Sequence, residues 1–62
     1  MSLALVKPAF IGYGDVVRLE GYEYLVSSID GPDQNGTYDL YLVDRVGNPH
    51  HRIITEPIEV EV

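Results

Sequence analysis

The sequence contains no cysteine and no tryptophan, and it has four basic side chains against ten acidic ones. Without cysteine the chain can form neither a disulfide framework nor a thiolate zinc site. Such a composition suits a reducing cytoplasm, where we expect the protein to be located. The formal net charge is -6, and the basic residues are scattered along the chain. Because phosphate binding needs clustered basic side chains, nucleic acid is not an expected partner.

Long apolar runs are also missing. No stretch approaches the ~20 apolar residues of a membrane-spanning helix, so we expect no membrane partner. Residues 1–10 lack the long apolar core and the small-residue cleavage site of a signal peptide, and residues 1–3 fit the remnant of an expression vector equally well.

The chain of 62 residues is long enough for one domain at most. A domain of this length buries only about 60% of the surface that its unfolded chain exposes, so its core is marginal. With no disulfide available, self-association is the expected source of additional stability.

Alternation of apolar and polar residues predicts five short strands and no helix of ten or more residues. The strands are Asp15–Glu20, Tyr22–Ile29, Thr37–Asp44, His50–Thr55 and Ile58–Val62. Gly21 supplies the turn of the first hairpin. A bulge near Ser27–Ser28 is expected, because it would return Ile29 to the inner face of a bending sheet.

Turn residues separate these strands. The segment 30–36 contains Gly-Pro, Asn-Gly and two aspartates, and it predicts a hairpin loop. Gly47 and Asn48 predict a tight turn before the fourth strand. Glu56 and Pro57 fit one turn of 3₁₀ helix before the last strand.

Several of these segments resemble the SH3-like barrels of the KOW and Tudor type. Gly14-Asp-Val-Val-Arg-Leu19 resembles their first strand, Tyr22–Ile29 the second, Thr37–Val43 the third, and Glu56-Pro-Ile-Glu-Val60 the 3₁₀ turn and closing strand. The resemblance implies an all-β fold: a small five-stranded antiparallel barrel over residues 13–62. It implies no activity, because this scaffold carries many unrelated functions.

The chain departs from two functional classes of that fold. Nucleic-acid-binding members would carry basic loops, whereas the loop at 30–36 is acidic. Peptide-binding SH3 domains use an aromatic groove that includes tryptophan, which is missing here.

Residues 1–12 are predicted to form an N-terminal arm or edge strand. Pro8 restricts this segment to an edge or to irregular structure. Three arrangements stay open: an ordered tail that lies on the barrel, an edge strand, and an arm exchanged with a second copy.

Apolar and aromatic residues in excess of a single core predict a partner-binding surface. The outer faces of the second and third strands are more apolar than solvent contact requires, so either the arm or a partner should cover them. The predicted partner-binding residues are Phe10, Ile11, Tyr13, Tyr22, Tyr24, Tyr41 and Val43.

The sequence contains no motif that indicates a catalytic site. His50 and His51 are adjacent, and on a strand they would point to opposite faces, where they could not readily bind one metal ion. We therefore expect no enzyme activity, no cofactor and no metal.

The leading hypothesis is a small non-enzymatic protein-binding or assembly module that self-associates, of a kind typical of bacterial and phage genomes. Two alternatives stay open. One is a nucleic-acid-related module, either a binder or an acidic DNA mimic. The other is an oligomeric enzyme whose site lies in a pore on a symmetry axis.

Overall fold

The computed structural model of the protein describes residues 2–62, which form six β-strands and one 3₁₀ helix. In chain order these are β1 (Leu3–Val6), the 3₁₀ helix (Pro8–Phe10), β2 (Val16–Leu19), β3 (Tyr22–Asp30), β4 (Tyr38–Val43), β5 (Pro49–Ile54) and β6 (Ile58–Glu61). Nothing in this part of the chain is a helix of the length and apolarity needed to cross a membrane. Met1, the first residue of the predicted arm, lies outside the described residues.

The strands form a single antiparallel sheet in the order β1-β6-β2-β3-β4-β5. The prediction of an all-β antiparallel fold is confirmed, but the prediction of a closed five-stranded barrel is wrong: the sheet has six strands and does not close. Strand β6 pairs with β2 along one edge and with β1 along the other, and β1 does not pair with β5. Strands β1 and β5 are thus the two edges of an open sheet.

We predicted a 3₁₀ turn before the last strand, and this prediction is wrong. The 3₁₀ helix lies near the N-terminus instead. Pro8 occupies its first turn, where a missing N–H costs nothing, and the N–H of Phe10 donates to the Lys7 carbonyl at 2.9 Å. Residues 55–57 join β5 to β6, and there the chain makes only a bend at Glu56.

A bulge interrupts the pairing of β3 with β4. Val26 lies opposite Leu42 and Ser28 lies opposite Tyr41, so Ser27 is the extra residue. Beyond this bulge Ile29 returns to the inner face and packs against the core, which confirms the prediction.

One face of the sheet, here called the inner face, holds the hydrophobic core. Leu40 and Leu42 of β4 are fully buried there, and Ile11, which follows the 3₁₀ helix, packs into the same cluster. The remaining members of the core are Val17, Tyr24, Val26, Ile54 and Val60. The opposite surface is called the outer face.

Candidate functional site

Strand β1 is one edge of the sheet, and no described strand pairs with its outward side. It pairs with β6 on one side, with Leu3 opposite Glu61. The N–H of Val62 donates to the Ser2 carbonyl at 2.9 Å. Because hydrogen-bonded pairs alternate along an antiparallel ladder, the backbone N–H and C=O groups of Leu3 and Leu5 point away from β6. These four groups can pair with a further strand.

Among the six described strands, β1 is the one that carries no charged side chain. It contains no proline and no bulge, and the Leu5 side chain on its outer face is 73% exposed. Edge strands of proteins usually carry a lysine, a proline or a bulge, and these features prevent pairing with a further strand. Because β1 has none of these, it is suited to accept another strand.

The other edge of the sheet, β5, is less suited to this. The N–H of Asp44 donates to the Asn48 carbonyl at 3.0 Å. By the same alternation, the residues of β5 whose backbone groups point away from β4 are Pro49, His51 and Ile53. Pro49 has no N–H, so one of the donors that a further strand would need is missing.

A groove lies on the outer face across β2, β3 and β4. Its floor is an apolar row in which Leu25 pairs with Val16 on one side and with Val43 on the other. Glu23 and Glu61 also line the groove, which has a volume of about 340 Å³. We call these five residues the outer-face groove.

Charged side chains surround Glu23 in this groove. The Arg45 guanidinium lies 3.0 Å from one carboxylate oxygen of Glu23, and the Arg18 guanidinium lies 3.8 Å from the other. Side-chain hydrogen bonding with Glu61 is the main cause that lowers the pKa of Glu23, and the two arginines lower it further. The same interaction raises the pKa of Glu61. The two carboxyl groups therefore share one region of the groove, and the arginines neutralise Glu23.

A second cavity of about 360 Å³ adjoins the first, with Glu23, Tyr24, Asp44 and Arg45 lining both. His50 lies in this second cavity. Its Nε2 is 2.9 Å from Asp44 Oδ2, and its ring packs edge-on against Tyr24 with the ring centres 5.1 Å apart.

His51 makes a matching set of contacts on the outer face. Its Nε2 lies 3.0 Å from Asp39 Oδ1, and its ring stacks on Tyr41 with the centres 4.8 Å apart. As predicted, His50 and His51 point to opposite faces, and each has its own aspartate. In residues 2–62 no three histidine or acidic side chains form a group that could hold a metal ion.

The predicted partner-binding residues do not form one surface. Ile11 and Tyr24 are buried in the core, whereas Phe10, Tyr13 and Tyr22 are well exposed. Tyr41 and Val43 lie on the outer face of β4, opposite His51 and Pro49.

The N-terminal arm does not cover the outer face of β4. Strands β6, β2 and β3 separate β1 from β4 in the sheet. The outer face therefore keeps the apolar row that the sequence indicates, with Leu25 46% exposed.

The prediction of the binding surface omitted Leu3 and Leu5, which form the exposed edge. Their signal in the sequence is an apolar strand without charge that ends before a proline. Comparison of the chain with protein-family models, with curated proteins and with solved structures gives no match.

Proposed function

We propose that the protein is a small non-enzymatic assembly module that self-associates by pairing strand β1 with β1 of a second copy. The observation that carries the proposal is the uncharged and unprotected edge of β1. Localisation in the cytoplasm and a bacterial or phage origin stay predictions, as do the nucleic-acid and pore-enzyme alternatives.

The proposed pairing is antiparallel and two-fold symmetric. Cross-strand partners share a face, so Leu3 of one copy pairs with Leu5 of the second copy, and the two Ala4 residues meet at the symmetry axis. The outward N–H and C=O groups of Leu3 and Leu5 then form four intermolecular hydrogen bonds. The result is a continuous sheet of twelve strands in which the leucines lie side by side on the outer face.

The size and charge of the interface set its strength. A four-residue strand buries well under ~1,000 Å², which is typical of weak or transient association, so we expect a dissociation constant above about 1 μM. Each copy has a formal net charge of -6, so the two copies repel. Salt screens this repulsion, and self-association should strengthen as the ionic strength rises.

The strand order supports the proposed relation to SH3-like proteins. Strands β2 to β5 follow one another as a meander, and β6 returns beside β2. We propose that the protein is an open relative of that arrangement, in which β1 extends the sheet beyond the closing strand. The extension moves the open edge to a strand that carries no charge.

The test of the proposed function is the molar mass in solution as a function of protein concentration, measured by light scattering. The wild-type mass should rise from that of a 6.9 kDa monomer towards twice this value. Leu5→Lys should hold the protein at the monomer mass, because a charge on an edge strand opposes strand pairing. A monomer mass of the wild type at every concentration would refute the proposal.

The matched control is Ile53→Lys. Ile53 lies on the outer face of the other edge strand and is 65% exposed, close to the 73% of Leu5. This variant should dimerise like the wild type. Loss of the dimer in both variants would show that added positive charge, and not the β1 edge, controls the association.

A further inference from the structure

We infer that the outer-face groove is a second binding site, independent of the β1 edge, and that it accepts an arginine side chain of a partner protein. The groove combines an apolar floor with a wall of carboxylates. An arginine side chain has the same two parts, an apolar stem and a planar cation.

The floor of the groove matches the stem. Val16, Leu25 and Val43 lie side by side on three adjacent strands and are partly exposed. The volume of about 340 Å³ falls at the small end of the range of ligand pockets. It is sufficient for one side chain that crosses the strands with its methylene groups on the apolar row.

The wall of the groove matches the cation. Within residues 2–62, Glu23 has ion pairs with Arg18 and Arg45, whereas no basic side chain of this part of the chain lies within 4.0 Å of Glu61. Glu61 instead interacts with the carboxyl group of Glu23, and two carboxylates so placed repel each other when both are ionised. A guanidinium placed between them would relieve this repulsion and could bind Glu61 through two parallel hydrogen bonds.

The chain itself shows that this wall accepts a guanidinium. Arg45 reaches Glu23 from an exposed turn, and its side chain is 86% exposed while it makes this contact. An exposed ion pair of this kind contributes little to stability, so an arginine from a partner could displace Arg45 at small cost.

The experiment is a titration of the wild-type protein followed by ¹⁵N–¹H correlation spectra, with n-butylguanidinium as the probe. The neutral isostere n-butylurea is the ligand control. The guanidinium should shift the amide signals of Val16, Leu25, Val43 and Glu61 in a saturable manner, and the urea should not. Equal shifts with the two probes, or no saturable shift with either, would overturn the inference.

Two variants define the polar contact. Glu61→Gln should weaken binding of n-butylguanidinium about fivefold, the largest effect expected for one exposed ion pair. Glu59→Gln is the matched control, because Glu59 lies two residues away on the same strand and does not line the groove. It should leave the affinity unchanged. An equal loss in both variants would assign the binding to the overall negative charge and overturn the inference.

The failure of this inference is distinguishable from that of the proposed function. The probe titration reports on the groove whether the protein is monomeric or dimeric, whereas the molar mass reports on the β1 edge alone.

Discussion

His50 Nε2 lies 2.9 Å from Asp44 Oδ2, while Asp44 Oδ1 accepts hydrogen bonds from the backbone N–H groups of Val46 and Asn48 at 3.0 and 2.9 Å. One carboxylate thus closes the turn between β4 and β5 and holds the imidazole of the strand that follows. The bond with His50 is the largest cause that lowers the pKa of Asp44 to about 2.

The low pKa of Asp44 predicts a pH dependence of stability. Since the folded chain binds this proton more weakly than the unfolded chain does, the carboxylate stabilises the fold above pH ~4, and this contribution is lost as the pH falls towards 2. Asp44→Asn should lower the free energy of unfolding at pH 7 and flatten its decline between about pH 4 and 2. Urea unfolding at a series of pH values measures both effects.

The control for this prediction is Asp33→Asn in the other long turn. Asp33 Oδ1 accepts the N–H groups of Asn35 and Thr37 with the same spacing, and no histidine of residues 2–62 is among its partners. This variant should keep the wild-type decline at low pH. The same pH profile in both variants would contradict the role assigned to the His50–Asp44 pair.

The bulge at Ser27 predicts the effect of a deletion. Removal of Ser27 alone would restore regular pairing with Ile29 still opposite Leu40, so Ile29 would stay in the core. Removal of both Ser27 and Ser28 would shift the rest of β3 to the opposite face and turn Ile29 out of the core. We expect the double deletion to lose more than ~2 kcal/mol in the free energy of unfolding, and the single deletion to change it by less than about 1 kcal/mol. Equal stability of the two variants in urea would contradict this account of the bulge.

Gly31, which follows the last residue of β3, has a backbone conformation and surroundings that favour glycine. Its φ is +132°, and a Cβ added there would lie 2.9 Å from the Thr37 carbonyl oxygen. Gly31→Ala should therefore destabilise the fold by about 1–3 kcal/mol. At Gly12 an added Cβ has no neighbour within 4 Å, so Gly12→Ala is the control and should stay near the wild type. Equal urea midpoints for the two variants would contradict the prediction.

The strands and their faces could be predicted from the sequence because their signals are local. Alternation with period two indicates that Ile53 and Ile54 lie on opposite faces, and the structure places Ile54 in the core. Glycine and proline marked the turns. The bulge followed from one strand with apolar residues on both faces. Each of these features depends on neighbours only a few residues away.

The closure of the sheet could not be predicted in the same way. Whether β6 completes a barrel depends on which strands pair, and the pairing of Leu3 with Glu61 joins the two ends of the chain. No local pattern in either segment specifies the other. A short apolar stretch before Pro8 fits an edge strand, a tail and an exchanged arm equally well.

The candidate sites were predicted only in part. Tyrosines were selected by residue type, and type alone does not separate Tyr24, which fills the core, from Tyr22, which is well exposed. The groove was missed because Val16, Leu25 and Glu61 meet only through strand pairing, although the excess apolar residues of that face were visible in the sequence.

Amide hydrogen exchange of the β1 edge, followed at several protein concentrations, tests the central claim most directly. If β1 pairs with a second copy, the N–H groups of Leu3 and Leu5 should be protected at high concentration and lose this protection on dilution, while those of His51 and Ile53 should exchange rapidly throughout. Exchange of Leu3 and Leu5 as fast as that of His51 and Ile53 at every concentration would contradict the account.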